Sequence, residues 1–230
     1  MTLDDIVVSP EVSDLRPDFA VLAITARGLT GGMSNARSEL LLAEAERTVR
    51  ETPPGPHPHI AAWHDAYRAF GQKPQRTPPS VDALWRRAAG PGLPRLHWLV
   101  DVYNAISVTA ALPVGGENLG AFVGPLRLVR ARGDEPFDTV KGGERVVEHP
   151  DPREVVWADD LGVTCRRWNW RRGIRTRLEP DTVDALFLLE RLAPMSSTRC
   201  TLPAMRWSQR SGAVPGGARR HATPRARLSR

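Results

Sequence analysis

Three short stretches of the sequence set polar side chains among apolar ones, and a polar group taken out of water needs a partner or a chemical task. The first is His97-Trp98-Leu99-Val100-Asp101-Val102-Tyr103-Asn104. Asp101 and Asn104 stand three apart and share a face if the segment is helical; they either meet a ligand or cap the next segment of chain. The second, Leu112-Pro113-Val114-Gly115-Gly116-Glu117-Asn118, reads as a Gly-rich turn. Its free backbone N–H groups can form an anion-binding concavity, and an ordinary tight turn is the plainer alternative. The third, Cys165-Arg166-Arg167-Trp168-Asn169-Trp170-Arg171-Arg172, interleaves four Arg with two Trp in a strand. Such a strand can stack bases and hold phosphates, or lie at a sheet edge with Trp in the core and Arg in solvent.

Other chemistry is not signalled. The sequence has no P-loop, no GxGxxG after a strand, no GxSxG and no HExxH. His57 and His59 stand in a Pro-rich connector with no further ligands spaced to close a metal site, so solvated loop histidines are expected there. Cys165 and Cys200 form no CxxC pair, which supports neither a disulfide framework nor a thiolate zinc site. No metal and no cofactor are expected.

The 230 residues are 41% hydrophobic and 25% charged with a mean hydropathy of -0.34, a globular composition that excludes fibrous and disordered classes. No apolar stretch approaches the ~18 residues of a membrane helix, and the first residues lack the pattern of a signal peptide, so a cytoplasmic protein is expected. The net charge of +6 is unevenly placed. Residues 191–230 carry nine Arg and no acidic residue, which leaves residues 1–190 at −3. A basic nucleic-acid face on the folded body therefore cannot be argued from net charge.

Elements able to position the three stretches are marked by punctuation and period. Ile6 to Val8 and Phe19 to Ala26 read as strands between Pro10, Pro17 and Gly28. Helical spacing predicts helices near 34–50, 59–70 and 80–89, with Ser34 and Ser80 as caps, and burial of Trp63, Phe70, Leu84, Trp98 and Val100. Beyond the apolar segment Trp98 to Leu112, short strands are expected at 126–131, 154–157 and 162–170, and the sheet is expected to come largely from residues 120–180. Asp181 to Leu189 is a continuous apolar run, either a short helix or a buried strand. Helices first and strands later give an α+β class with a mixed or antiparallel sheet flanked by helices, as a single domain over residues 1–190.

The segment 191–230 shows no usable periodicity, and disorder is expected for most of it. Arg outnumbers Lys 30 to 2 in the whole chain, as GC-rich coding DNA would give. The tail is thus either a basic arm for RNA phosphates or an aberrant terminus that has lost its original sequence. On the second reading Leu186 to Leu189 begins a core element whose continuation is missing, which would leave it partly uncovered and Glu190 loose.

The succession Ala66-Tyr67-Arg68-Ala69-Phe70-Gly71, Ser80-Val81-Asp82-Ala83-Leu84, Leu99 to Asn104, Leu112 to Glu117, Trp157-Ala158-Asp159-Asp160 and Cys165 to Arg171 closely resembles the free-standing B3/B4 domain proteins. These are relatives of the editing domain in the β subunit of phenylalanyl-tRNA synthetase. The resemblance covers about residues 1–190 and implies a B3/B4-like domain that binds tRNA and hydrolyses the ester of a wrongly attached amino acid, chiefly tyrosine. It implies a positioned water in place of a nucleophilic side chain. Carried over by position, Asp101, Asn104, Gly115, Gly116, Glu117, Asn118 and Glu190 would line the substrate pocket, with Glu190 accepting the tyrosine hydroxyl. Arg166, Trp168, Asn169 and Arg171 would contact RNA. The chain departs from the family at Asn118, where Asp is usual, and at Arg172, where Gln is usual; Gly115 stands where the synthetases often carry His. Two other readings stay open: a non-catalytic RNA-binding module, and a binder of a small amino-acid-like molecule in the same pocket.

Overall fold

The computed structural model describes residues 1–196 together with the backbone of residues 215–222. Strand β1 (Ile6–Val8) is followed by a short helix α1 (Pro10–Leu15), strand β2 (Ala20–Ala26) and four helices: α2 (Ala36–Glu51), α3 (Pro58–Ala69), α4 (Ser80–Ala89) and α5 (Trp98–Ala110). Then come β3 (Val114–Asn118), β4 (Leu126–Arg130), the hairpin β5 (Phe137–Lys141) and β6 (Glu144–Glu148), β7 (Val155–Ala158), β8 (Val163–Arg166), β9 (Arg171–Arg172) and β10 (Ala185–Arg191). A last strand, β11 (Pro215–Ala222), lies in the tail. The class is α+β with a mixed sheet, as expected.

Local chemistry explains the helix starts. Asn35 caps α2, its Oδ1 accepting from the N–H groups of Arg37 and Ser38, and Ser38 Oγ accepts in return from the Asn35 N–H. Asn35 therefore caps α2 in place of the expected Ser34. Pro58 opens α3 at a position where no N–H is needed, and the His57 ring caps it. Pro79, not Ser80, occupies the cap of α4.

Two main sheets face each other. One has the order β1-β4-β7-β8-β9, antiparallel except for the parallel β1–β4 pair; the other has the order β11-β2-β10-β3 and is antiparallel throughout. Along β10, Leu186 and Leu188 enter the core between the sheets with Trp157, Trp168 and, from α3, Trp63 and Tyr67. Ala185, Phe187 and Leu189 point the other way, to Trp98, Leu99 and Val102 of α5. Helices α2, α4 and α5 close the outer side through Leu42, Ala45, Val49 and Val108. Because β10 is covered on both faces its sequence carries no alternation, which is why the run could not be told from a helix.

The structure corrects several expectations. Among the described residues five of the nine strands in the two main sheets lie outside 120–180, and the β5–β6 hairpin, paired Phe137↔Glu148, had no predicted counterpart. Trp63, Phe70, Trp98 and Val100 are buried, but Leu84 is only half-buried. The boundary expected at residue 190 falls inside β10, and the core runs on through buried Leu192 and Met195. Leu186 to Leu189 are fully covered, with β10 paired between β2 and β3, where partial exposure was expected. Within the tail, β11 pairs antiparallel with β2 where disorder was expected; residues 197–214 and 223–230, Cys200 among them, lie outside the described residues.

Gly162 shows how tightly the β7–β8 turn is seated. Its φ is +145° and an added Cβ would run into the Pro136 carbonyl oxygen and ring. Gly162→Ala is expected to lower stability by about 3 kcal/mol through left-handed strain plus a collision with backbone that cannot give way. A urea midpoint equal to that of the parent would refute this.

Candidate functional site

Glu190 shares the face of Leu186 and Leu188 on β10 and therefore looks toward the opposite sheet. It is 2% exposed. Trp157 on β7 donates Nε1–H to its Oε1 at 2.7 Å, and Asn169 donates Nδ2–H to its Oε2 at 2.7 Å. The Asn169 Oδ1 in turn accepts from the Tyr67 hydroxyl at 3.0 Å. Asn169 is delivered by the turn after β8, where Arg167 and Trp168 have φ of 47° and 67°. Two successive non-glycine residues in the left-handed region cost roughly 1–2 kcal/mol each. The fully buried Trp168 holds the turn there, its ring 5.0 Å from Phe19 and 5.4 Å from Trp63. Burial pushes the Glu190 carboxyl up to about 7, against the pull of its two donors. At neutral pH it can act as either donor or acceptor toward a ligand hydroxyl, since two hydrogen bonds leave lone pairs free. The expected looseness of Glu190 is not found.

A second polar group sits on the same face one strand over. Glu117 on β3 pairs with Leu186 of β10, so its carboxylate also faces between the sheets. It accepts from Arg172 Nη1 and, at 2.6 Å, from the Thr176 hydroxyl. The Arg172 guanidinium lies over Gly115, in the space any Cβ at that position would take. Gly116 faces the helices, where a Cβ would be 2.6 Å from Leu178, 2.9 Å from Phe187 and 3.1 Å from Tyr103. Both glycines are thus required by close approach and not by a turn. The segment Val114–Asn118 is an edge strand paired with β10, which corrects the expected Gly-rich turn. Alternate amides along it, those of Gly115 and Glu117, face β10, so no loop concavity forms. The Asn118 N–H instead donates outward to Thr176 O at 2.7 Å, and strand alternation turns the Gly116 N–H to the same outer side.

The remaining expected site residues divide clearly. Asn104 on α5 is 6% exposed and its amide makes no hydrogen bond among the described residues, as a ligand-facing amide would. Asp101 is structural: it accepts from the Leu96 N–H at 2.9 Å and from Ser38 Oγ at 3.0 Å, joining α5 to α2. Asn118 caps the following turn through Gly120 N–H. Of the four residues expected to contact RNA, Trp168 has no exposed face to offer a base, Arg166 is buried on Glu154, and Asn169 serves Glu190. Arg171 alone is partly exposed, its Nη2 donating to Val140 O. His59 is not a solvated loop residue but lies buried in the first turn of α3, Nδ1 2.7 Å from Ala111 O and Nε2 accepting from the Leu192 N–H.

Tyr67, Tyr103, Trp157 and Thr176 were not identified as site residues from sequence. Three of them fall within quoted motifs, but residue type alone does not separate a hydrogen-bonding aromatic from a packed one. Arg172 stood out as one of the four interleaved Arg and as a departure from the family. Burial pushes the Cys165 thiol up to about 12, so it stays protonated at neutral pH. Among the described residues no group of three His, Cys, Asp or Glu could hold a metal ion, and no helix is long and apolar enough to cross a membrane. A surface cleft of about 570 Å³ between the end of α2, Pro53 to Pro58 and Trp85 shares no residue with this network.

The architecture defines an α+β domain with two buried carboxyls, Glu190 and Glu117, on the inner face of one sheet, the second paired with the half-buried Arg172 guanidinium. The B3/4 domain family matches residues 62–204, more than half of the chain, and the chain belongs to that family. Among solved structures it is similar to an N-terminal fragment of the phenylalanyl-tRNA synthetase β-subunit from Pyrococcus horikoshii, at 10% identity and a TM-score of 0.44 over 90% of this chain and 49% of that one. The chain thus spans about half the length of that fragment. No curated protein matches it.

Proposed function

We propose that this protein removes a wrongly attached amino acid, chiefly tyrosine, from tRNA by hydrolysing the aminoacyl ester. The observation that carries the reading is Glu190: a buried carboxyl with spare lone pairs, framed by Trp157, Tyr67 and Asn169, is the kind of group that selects a phenolic hydroxyl inside an apolar wall. Such a site rejects the substrate lacking the hydroxyl, because the carboxyl is then left without its partner. The ester needs a positioned water and a polarised carbonyl, not a side-chain nucleophile.

The direct test mixes purified protein with tRNA carrying tyrosine or phenylalanine on the same tRNA(Phe). Selective loss of tyrosine is expected; loss no faster than in buffer overturns the reading. Asn104→Ala is expected to slow deacylation about tenfold while moving the thermal midpoint by no more than about 2 °C, since its amide has no protein partner to lose. Equal loss of rate and stability would make Asn104 a packing residue. A second reading, binding of a free amino-acid-like molecule, is favoured by Arg172, a cation with donors to spare at the same site. The purely RNA-binding reading loses its stacking residue, because Trp168 is enclosed in the core.

A further inference from the structure

Arg172 is the group at this site whose hydrogen-bonding capacity is least used. Its Nη1 is held by Glu117, but Nη2 and Nε have no acceptor among the described residues, and the side chain retains 18% of its exposure. The Tyr103 hydroxyl also makes no hydrogen bond among the described residues, and its ring lies against Gly116, the neighbour of Gly115 on β3. The outward Gly116 N–H adds a backbone donor at the edge of β3. Glu117, the nearest acceptor, is occupied by Arg172 and Thr176. Unpaired donors gathered beside a cation recognise negative oxygen.

We infer that Arg172 contacts the carboxyl-derived oxygen of the ligand, held over Gly115 by Glu117 with Nη2 and Nε left unpaired. This deepens the proposed function by naming what lies opposite the Glu190 end of the substrate. The oxygen has two possible sources, the carbonyl of an aminoacyl ester as water adds to it and the carboxylate of a free amino acid. In the first, water's oxygen bonds to the carbonyl carbon, the carbonyl electrons move onto oxygen beside the guanidinium, and collapse breaks the ester bond, the departing ribose oxygen taking up the proton that the water gives up. Gly115 is integral to this arrangement, because a side chain there would displace the guanidinium.

The test compares the full-length parent with Arg172→Lys and with the double variant Glu117→Gln, Arg172→Gln. The double variant exchanges the ion pair for two amides that can hydrogen-bond each other, so it avoids a buried unpaired carboxylate. Each is assayed for single-turnover deacylation of Tyr-tRNA(Phe) and for calorimetric binding of tyrosine and of tyrosinamide. For an ester-directed site, the double variant, folded by circular dichroism, should lose deacylation rate at least 30-fold, with tRNA affinity unchanged. For a carboxylate-directed site, the parent should bind tyrosine at least tenfold tighter than tyrosinamide, and the double variant should lose that preference even if the parent deacylates nothing. The second pattern would sink the proposed function and keep the Arg172 assignment. A folded double variant that matches the parent in both assays, or a parent that neither deacylates nor distinguishes tyrosine from its amide, overturns the assignment.

Discussion

Glu117→Ala is expected to destabilise the fold by about 3–5 kcal/mol, the cost of removing one partner from a buried ion pair. Glu117 is 1% exposed and the Arg172 side chain 18%, so solvent screens the pair poorly. Its loss strands a guanidinium between two sheets and frees the Thr176 hydroxyl as well. The Coulomb gain of the pair is not the point; the penalty comes from a charge left in low dielectric with nothing to answer it. Thr176→Val, which removes only the neutral hydrogen bond, is expected to cost about 1 kcal/mol. Replacing both charged residues with apolar ones of similar volume should restore much of the stability lost in Glu117→Ala. Urea unfolding of the three variants checks the order, and a Glu117→Ala midpoint close to that of Thr176→Val would show that Arg172 simply swings out to water.

The second large effect is a pH profile in which two buried groups oppose each other. Burial holds the His59 imidazole down at about 4, its Nδ1–H bound to Ala111 O and its Nε2 accepting from Leu192 N–H. The unfolded chain protonates this histidine near its ordinary 6.5, so between 6.5 and 4 the unfolded state holds more protons and stability falls as acid is added. Glu190 works in the opposite direction. Its folded value of about 7 lies above the ordinary 4.5, so the folded state holds more protons between those limits and stability is lost as pH rises through them. Over pH 4.5 to 6.5 the two slopes cancel. Glu190→Gln removes one of them, and the variant should then lose about 2 kcal/mol of stability between pH 7 and pH 5 beyond any loss in the parent. The amide fits if Asn169 turns its own amide over to accept from it. Urea midpoints at the two pH values decide the matter: a variant that tracks the parent at both would mean that Glu190 is ionised in the folded protein throughout.

Both predictions rest on residues whose roles the sequence disclosed unevenly. The family resemblance brought Glu117 and Glu190 forward by position, Glu190 at the end of the apolar run from Ala185. It did not disclose that the run is a strand, since a segment buried on both faces shows neither the period of two nor that of 3.6. Gly115 and Gly116 looked like a turn for a similar reason. Glycine marks both turns and places of close backbone approach, and only the neighbours, Arg172 over one and Tyr103 with Leu178 over the other, decide which.

What the sequence determined by itself was local: the helices at 36–51, 58–69 and 80–89 to within about two residues, the α+β class, the burial of Trp63, Phe70, Trp98 and Val100, and the family. Those are set by period, capping and residue type, which act over a few positions along the chain. The tertiary structure alone decided the partners. Asp101 became a tie between α5 and α2, Trp168 a core residue locked by Phe19 and Trp63, His59 a buried neutral imidazole, and Arg172 the cation of the site. Each of these roles depends on burial and on contacts between residues far apart in the chain, 63 positions for Asp101 with Ser38 and 55 for Arg172 with Glu117. A charged or polar side chain has nearly the same local propensity whether it ends in solvent or between two sheets. Only the packing of those sheets sets the dielectric and the partners that give it a function.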